Sequence, residues 1–228
     1  MIQTVIFDLD DTLYSFAAAH RHAMPAVLAY AEKELDWPQE DFARRYEEMM
    51  DAQRQRSGDC AAIHNRYLRF QMMLEEKGLP LRHVTALNDL YWHTLLDATV
   101  PNPGVMTCVQ QLKAAGVRIG IGTDMTVDWQ LRKLEKLQLL DQMDFVVSSE
   151  EASAEKPKPQ FFDLCRKKAG CPKEGCLFIG DNLRKDVLGA LDYGFHALWY
   201  QPDPTKVSTH PEVEALQRMD DLPRRLGL

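Results

Sequence analysis

Two periodicities divide this chain of 228 residues. A β-branched and aromatic run, Thr4-Val5-Ile6-Phe7, opens it and stops in Asp8-Leu9-Asp10-Asp11-Thr12, the signature of a short strand that ends in a polar turn. For about eighty residues beyond it no alternation recurs, and apolar positions fall at helical spacing instead. This spacing predicts a helix over Met24–Lys33 and a second that starts at Pro38 and runs through Tyr46 and Met49. After a break at Ser57-Gly58-Asp59 come a third over Ala61–Lys77, ended by Gly78 and Pro80, and a fourth over His83–Leu96. From Pro101-Asn102-Pro103-Gly104 onward the two patterns alternate. Helices are predicted over Val105–Ala115, Val127–Leu137, Phe161–Ala169 and Lys185–Tyr193, and strands over Val117–Gly122, Phe145–Val147, Leu177–Ile179 and Ala197–Tyr200, followed by a polar tail with Pro202, Pro204 and Pro211.

Short apolar strands alternating with helices imply an α/β fold, a doubly wound parallel sheet covered on both faces. The first strand is separated from the second by the all-helical stretch. The expected organisation is therefore a sheet domain from residues 1–15 and 100–228 with a helical module, 16–99, inserted into it. No internal repeat or low-complexity segment interrupts this pattern.

Composition changes the picture only by exclusion. A hydrophobic fraction of 45% and a charged fraction of 27% are ordinary for a globular protein. A net charge of -7 with no long basic stripe argues against nucleic acid as a partner, but leaves room for a small phosphorylated metabolite. No apolar run is long enough for a membrane span, and Met1-Ile2-Gln3-Thr4 runs into a strand without a basic leader. Five cysteines, Cys60, Cys108, Cys165, Cys171 and Cys176, lack a C-x-x-C pair and read as reduced thiols of a cytoplasmic protein. Nothing in the sequence sets an oligomeric state.

The chemistry gathers where strands end. Asp8 and Asp10, spaced i and i+2, share one face of an ideal strand at the carboxyl edge of the sheet, where open α/β folds keep their ligands. Two neighbouring carboxylates need a shared proton or a cation, and a hard, oxygen-seeking ion such as Mg²⁺ meets that need. The second strand ends in Gly122-Thr123-Asp124, a hydroxyl and backbone N–H groups suited to phosphate oxygens; taken alone, this turn reads first as a helix N-cap. Glu155-Lys156-Pro157-Lys158-Pro159 holds lysines in a loop stiffened by proline, able to offer point charge to a phosphate. Gly180-Asp181, with Asp186 after it, can complete a metal cage.

Together these four elements resemble the haloacid dehalogenase (HAD) superfamily, most of whose members are Mg²⁺-dependent phosphohydrolases. The D-x-D-x-T motif stands as Asp8-Leu9-Asp10-Asp11-Thr12, the Ser/Thr motif as Thr123, the lysine motif as Lys156 and G-D-x-x-x-x-D as Gly180 to Asp186. Lys158 departs from the pattern, since many relatives carry Asp there, so Lys156 is assigned as the inward lysine. The inserted helices are similar to the family's C1-type cap. The resemblance implies Asp8 as the nucleophile of an aspartyl-phosphate and Asp10 as the acid and base. It implies Mg²⁺ between Asp8, the Asp10 main-chain carbonyl and Asp181, with Asp186 holding a coordinated water. Thr123, the Asp124 N–H and Lys156 would bind the phosphoryl oxygens. His20, Arg21 and His22 near the first hinge, and His64 and Arg66 in mid-cap, are candidates for contacting the leaving group, while Trp92 and Trp129 read as packing. A dehalogenase would lack the acid that Asp10 supplies and need no metal. A phosphomutase uses the same residues, and a non-catalytic homologue would have lost Asp8 or Asp10.

Overall fold

A computed structural model describes residues 1–58 and 60–228; Asp59, in the expected break, lies outside the described residues. The chain divides into two compact units, Met1–Ser15 with Val100–Leu228, and Phe16–Thr99.

The first unit is built on six parallel strands in the order β3-β2-β1-β4-β5-β6. They are β1 (Thr4–Phe7), β2 (Arg118–Thr123), β3 (Phe145–Ser148), β4 (Cys176–Gly180), β5 (His196–Tyr200) and β6 (Glu214–Leu216). β1 is central: Phe7 pairs with Ile121 of β2 on one side and Ile179 of β4 on the other. Both sheet faces are buried, as a parallel sheet requires. Ile6 and Phe178 share one face with Phe161, Phe162, Val187 and Ala190. Val5, Phe7, Ile119 and Ile121, which alternate with that set, are also fully buried.

In the second unit α1 (Phe16–Leu35), α2 (Gln39–Ser57), α3 (Arg66–Glu76) and α4 (Arg82–Asp97) pack together. The first unit adds α5 (Val105–Ala114), α6 (Val127–Lys136), α7 (Ser149–Ala152), α8 (Pro159–Ala169), α9 (Gly189–Tyr193) and α10 (Leu222–Arg225).

Four differences from the sequence expectations have physical causes. The first helix begins at Phe16, eight residues before Met24, with Pro25 inside it. Pro25 mimics a start signal, but Ala19 and Ala23 upstream of it are fully buried in a helix packed on α4, and that burial outweighs the lost hydrogen bond. The expected helix over Ala61–Lys77 is broken into a 3₁₀ turn, Ala61–His64, and α3, because Asn65 is extended and caps α3 by accepting from the Leu68 N–H at 3.3 Å. The helix expected from Lys185 begins as a π-helical turn, Leu183–Leu188, capped by Asn182. The polar tail contains β6, whose three residues are too few to show a period, and α10. All five cysteines are free, although the Cys171 and Cys176 sulfurs lie 3.4 Å apart. Among the described residues no helix is long and apolar enough to cross a membrane.

Candidate active site

Because the strands are parallel, the segments leaving β1, β2 and β4 emerge at one edge, beside the point where strand order reverses around β1. Asp8 follows β1 directly, its N–H donating to Ile179 O at 2.8 Å, and Asp181 follows β4. Asp186 sits in the π-helical turn, from which it folds back to accept from the Asn182 N–H at 2.9 Å. A Cβ on Gly180 would stand 2.3 Å from Asp186 Oδ2. The absence of a side chain there is what lets Asp186 lie against the end of β4.

The carboxylates of Asp8, Asp181 and Asp186 converge, with one oxygen of each within 4.8 Å of the others. Lys156 is their shared cation. Its Nζ lies 2.6 Å from Asp8 Oδ1 and 2.7 Å from Asp186 Oδ1, and donates to Gly122 O at 3.2 Å. Lys158 is exposed. The Thr12 hydroxyl stands 3.4 Å from both Asp8 and Asp181 and accepts from the Asp181 N–H at 3.1 Å, which links the two strand ends. Burial, with repulsion from Asp186 and Asp181, raises the Asp8 carboxyl well above the usual range despite Lys156. Asp181 is pushed up to about 7 by burial and by the charges of Asp186 and Asp11. One ammonium among three carboxylates leaves an excess of negative charge in a buried place. A divalent cation with oxygen ligands fits that excess in charge and in chemistry.

The Asp10 side chain, expected among the metal-binding residues, lies outside this cluster. Lys133, wholly buried on α6, donates to its Oδ1 at 2.7 Å. Gln130 donates to Oδ2 at 3.0 Å, and the Tyr14 hydroxyl donates to Oδ1. Burial pushes the Asp10 carboxyl up, but the Lys133 charge and these hydrogen bonds outweigh it and hold the group below the usual carboxylate range. Two aspartates two residues apart thus sit in opposed environments, an arrangement that separates acid–base roles.

Thr123 is buried, its Oγ accepting from Gln130 at 2.5 Å. Asp124 accepts from the Lys156 N–H at 3.1 Å and from Lys185 Nζ at 2.8 Å, while Lys185 also reaches Glu155 at 3.1 Å. Asp124 therefore orients Lys156 through its side chain as well as bordering Thr123.

Sequence reasoning missed Lys133, Gln130, Tyr14, Lys185 and Glu155. One signal was available: Gln130 and Lys133 occupy the apolar stripe of α6 with Leu134, which Leu137 continues just past the helix, and a polar side chain in such a stripe needs a buried partner. In the helical unit, His20 and Arg66 meet over Tyr91, whose hydroxyl is 2.9 Å from His20 Nδ1 and 3.3 Å from Arg66 Nη2. His64 contributes its carbonyl to Arg66 at 2.7 Å. Arg21 and His22 are exposed and join neither. Trp92 is buried in the unit and Trp129 half-buried on α6.

A doubly wound sheet that gathers these acidic segments beside its strand-order reversal defines the class of α/β proteins that keep a ligand site at that edge. The signature of haloacid dehalogenase-like hydrolases matches residues 2–194. The chain is 33% identical over 212 residues, 92% of its own length and 89% of the relative's, to the ribulose-1,5-bisphosphate 5-phosphatase of Halopiger xanaduensis. It is 31% identical over 196 residues, 83% of this chain and 80% of the relative, to the glyceraldehyde 3-phosphate phosphatase of Methanopyrus kandleri. In fold it is similar to a HAD phosphatase from Thermococcus onnurineus, with a TM-score of 0.80 at 22% identity over 99% of this chain and 98% of that one. The chain belongs to the haloacid dehalogenase-like hydrolase family.

Proposed function

We propose that this protein is a phosphohydrolase that releases phosphate from a small phosphorylated metabolite. The observation that carries this reading is the division of labour between two aspartates: Asp8 in an acid cluster with excess negative charge, and Asp10 held apart as a carboxylate by Lys133, Gln130 and Tyr14. The names of the relatives, phosphatases of a pentulose bisphosphate and a triose phosphate, point to the same substrate class.

Asp8, Asp181 and Asp186, with the Asp10 carbonyl, would hold Mg²⁺, which when bound neutralises phosphate charge and leaves Asp8 free of repulsion as a nucleophile. Asp8 attacks phosphorus in line and forms an aspartyl-phosphate, splitting one hard displacement into two. The Thr123 hydroxyl, the Asp124 N–H and the Lys156 ammonium bind the phosphoryl oxygens. Asp10 moves the protons. Its resting donors favour the carboxylate, the form that takes a proton from the hydrolytic water. An anionic substrate arriving beside it raises its proton affinity, which suits the earlier step of protonating the leaving oxygen.

The helical unit, Phe16–Thr99, is assigned the part of a C1-type cap that chooses the substrate. Both its connections start at one place in the sheet unit, where Tyr14 bridges to Pro101 and Asn102 donates to the carbonyls of Leu13 at 2.8 Å and Thr12 at 3.0 Å. Thr12 belongs to the acid cluster's own segment, so a motion of this unit about its connections would begin beside the chemistry. The test is phosphate release from a panel of phosphorylated metabolites, with Mg²⁺ and with excess chelator. Release that depends on the metal supports the reading; release unaffected by chelator overturns the metal's part, and none from any ester overturns the activity.

A further inference from the structure

Two sulfurs that take no part in the acid cluster lie in contact at the other edge of the sheet. Cys171 and Cys176 have four residues between them, a spacing outside the C-x-x-C pairs of redox motifs. The local chain explains why they meet. α8 ends at Gly170, whose φ of 69° lies in the left-handed region and whose N–H donates to Arg166 O at 3.1 Å. Pro172 keeps the helix from resuming. A 3₁₀ turn, Lys173–Gly175, closed by the Gly175 N–H on Pro172 O at 3.0 Å, then folds the chain back. Cys176 therefore opens β4 beside Cys171, sulfur to sulfur at 3.4 Å, while Asp181 follows the far end of the same strand.

The other contacts of both thiols are long and weak. Cys171 Sγ donates to the Thr4 hydroxyl at 3.6 Å, and Cys176 Sγ to Pro172 O at 3.7 Å. A disulfide holds its sulfurs at about 2.0 Å, so a closure of about 1.4 Å from the observed contact would form one. The two thiols differ in access. Cys176 is fully buried with Ile6, Phe178 and Cys165, whereas Cys171 is half-buried against that cluster. Burial and the hydrogen bond with Cys171 push the Cys176 thiol up to about 12. Attack on an oxidant therefore falls first to Cys171.

We propose that Cys171 and Cys176 form a site of reversible oxidation, closed to a disulfide by hydrogen peroxide, which staples the α8–β4 connection. The Cys171 thiolate attacks one peroxide oxygen and the O–O bond breaks. The departing hydroxide takes up the proton that the thiol gave, leaving a sulfenic acid and one water. Cys176 then attacks that sulfur: the S–S bond forms, the S–O bond breaks, and hydroxide leaves with the Cys176 proton as a second water. The two sulfurs together give up two electrons, which the peroxide accepts. The site needs neither metal nor substrate. Two core thiols in mere packing contact would show no such reaction.

The test exposes the reduced full-length protein to hydrogen peroxide in the presence of chelator, alkylates the remaining thiols, and maps tryptic peptides by mass spectrometry. Lys173 lies between the two cysteines, so trypsin separates them into peptides that only a disulfide holds together. The expected result is that linked pair, lost again on treatment with dithiothreitol. Cys60, also half-buried but with its thiol donating to Ser57 O at 3.3 Å, should keep its thiol under the same exposure. In Cys176→Ser, Cys171 has no partner to trap its sulfenic acid and should pass on to sulfinic acid, which dithiothreitol does not reverse. The closed ring is short, so the oxidised wild type should melt only about 4–8 °C above the reduced protein. Absence of the linked pair, sulfinic acid at Cys171 in the wild type, or earlier loss of the Cys60 thiol overturns the site. A closed form that melts no higher than the reduced one overturns the staple. Should Cys176→Ser fail to fold, the linked pair and the melting shift of the wild type decide alone.

Discussion

Replacing Lys133 with methionine isolates the device that sets Asp10. Methionine keeps the volume and the contacts of the stem but removes the ammonium 2.7 Å from Asp10 Oδ1. Breaking a buried ion pair by deleting one partner costs about 3–5 kcal/mol, because the other charge stays behind uncompensated. The Lys133 side chain is wholly buried, but that of Asp10 is 27% exposed, and Tyr14 and Gln130 still donate to it. The lower end, about 3 kcal/mol, is therefore expected, or a fall in melting temperature of about 6–12 °C for a protein of this size. The pH dependence has a definite sign. In the wild type the Asp10 pKa is depressed, so its stabilisation is present above the unfolded-state pKa and is lost as pH falls through the lower folded one. In the variant the stranded carboxylate titrates at higher pH and escapes its penalty by taking a proton. The deficit is therefore greatest near neutrality and shrinks on acidification toward pH 5. Thermal melts by circular dichroism in chelator at the two pH values measure it, and a Lys133→Met, Asp10→Asn double variant should recover much of the loss. A melting temperature within about 2 °C of wild type at neutral pH, or a deficit that grows with acid, would refute the argument.

Asp8→Asn should lower turnover by roughly a thousandfold or more, since an amide is a poor nucleophile. Without metal it should melt no lower than wild type, because burial and repulsion already disfavour the Asp8 anion; near-normal rates in the purified variant would remove Asp8 from its role. Mg²⁺ affinity, measured calorimetrically, should weaken as pH falls below about 7, the value to which burial raises Asp181, because the ion must displace a proton there. The same group makes the metal-free protein lose stability as pH rises through that value, and an affinity constant from pH 6 to 8 would contradict both expectations. Gly180→Ala must push Asp186 aside, since the new methyl would meet its Oδ2 at 2.3 Å. About 1–3 kcal/mol of destabilisation is expected, together with weaker Mg²⁺ binding, and unchanged binding would show that Asp186 plays no part in holding the ion.

What the sequence determined by itself was whatever depends on neighbours along the chain. Apolar runs of strand length, each ending in Asp, Thr or Gly, marked β1, β2 and β4 and the segments that leave them. A parallel sheet must then bring those segments to one edge, so Asp8, Asp181 and Asp186 could be nominated together before any coordinates, while Lys156, in the loop beyond β3, was assigned through the family resemblance. Helix limits were legible only where a local cap agreed with packing. At Pro25 the local signal was overridden by the burial of Ala19 and Ala23, and at Asn65 a capping side chain split a continuous apolar pattern. Tertiary structure alone decided the partners of buried charges. Lys133 reaches Asp10 across 123 residues and Lys156 reaches Asp8 across 148, separations at which no periodicity carries information. Arg66 and Arg69 look in sequence like ordinary residues of a solvated helix. Only the packing of α3 within its own unit buries them among aromatic rings, where desolvation turns a common side chain into a charge that needs a partner.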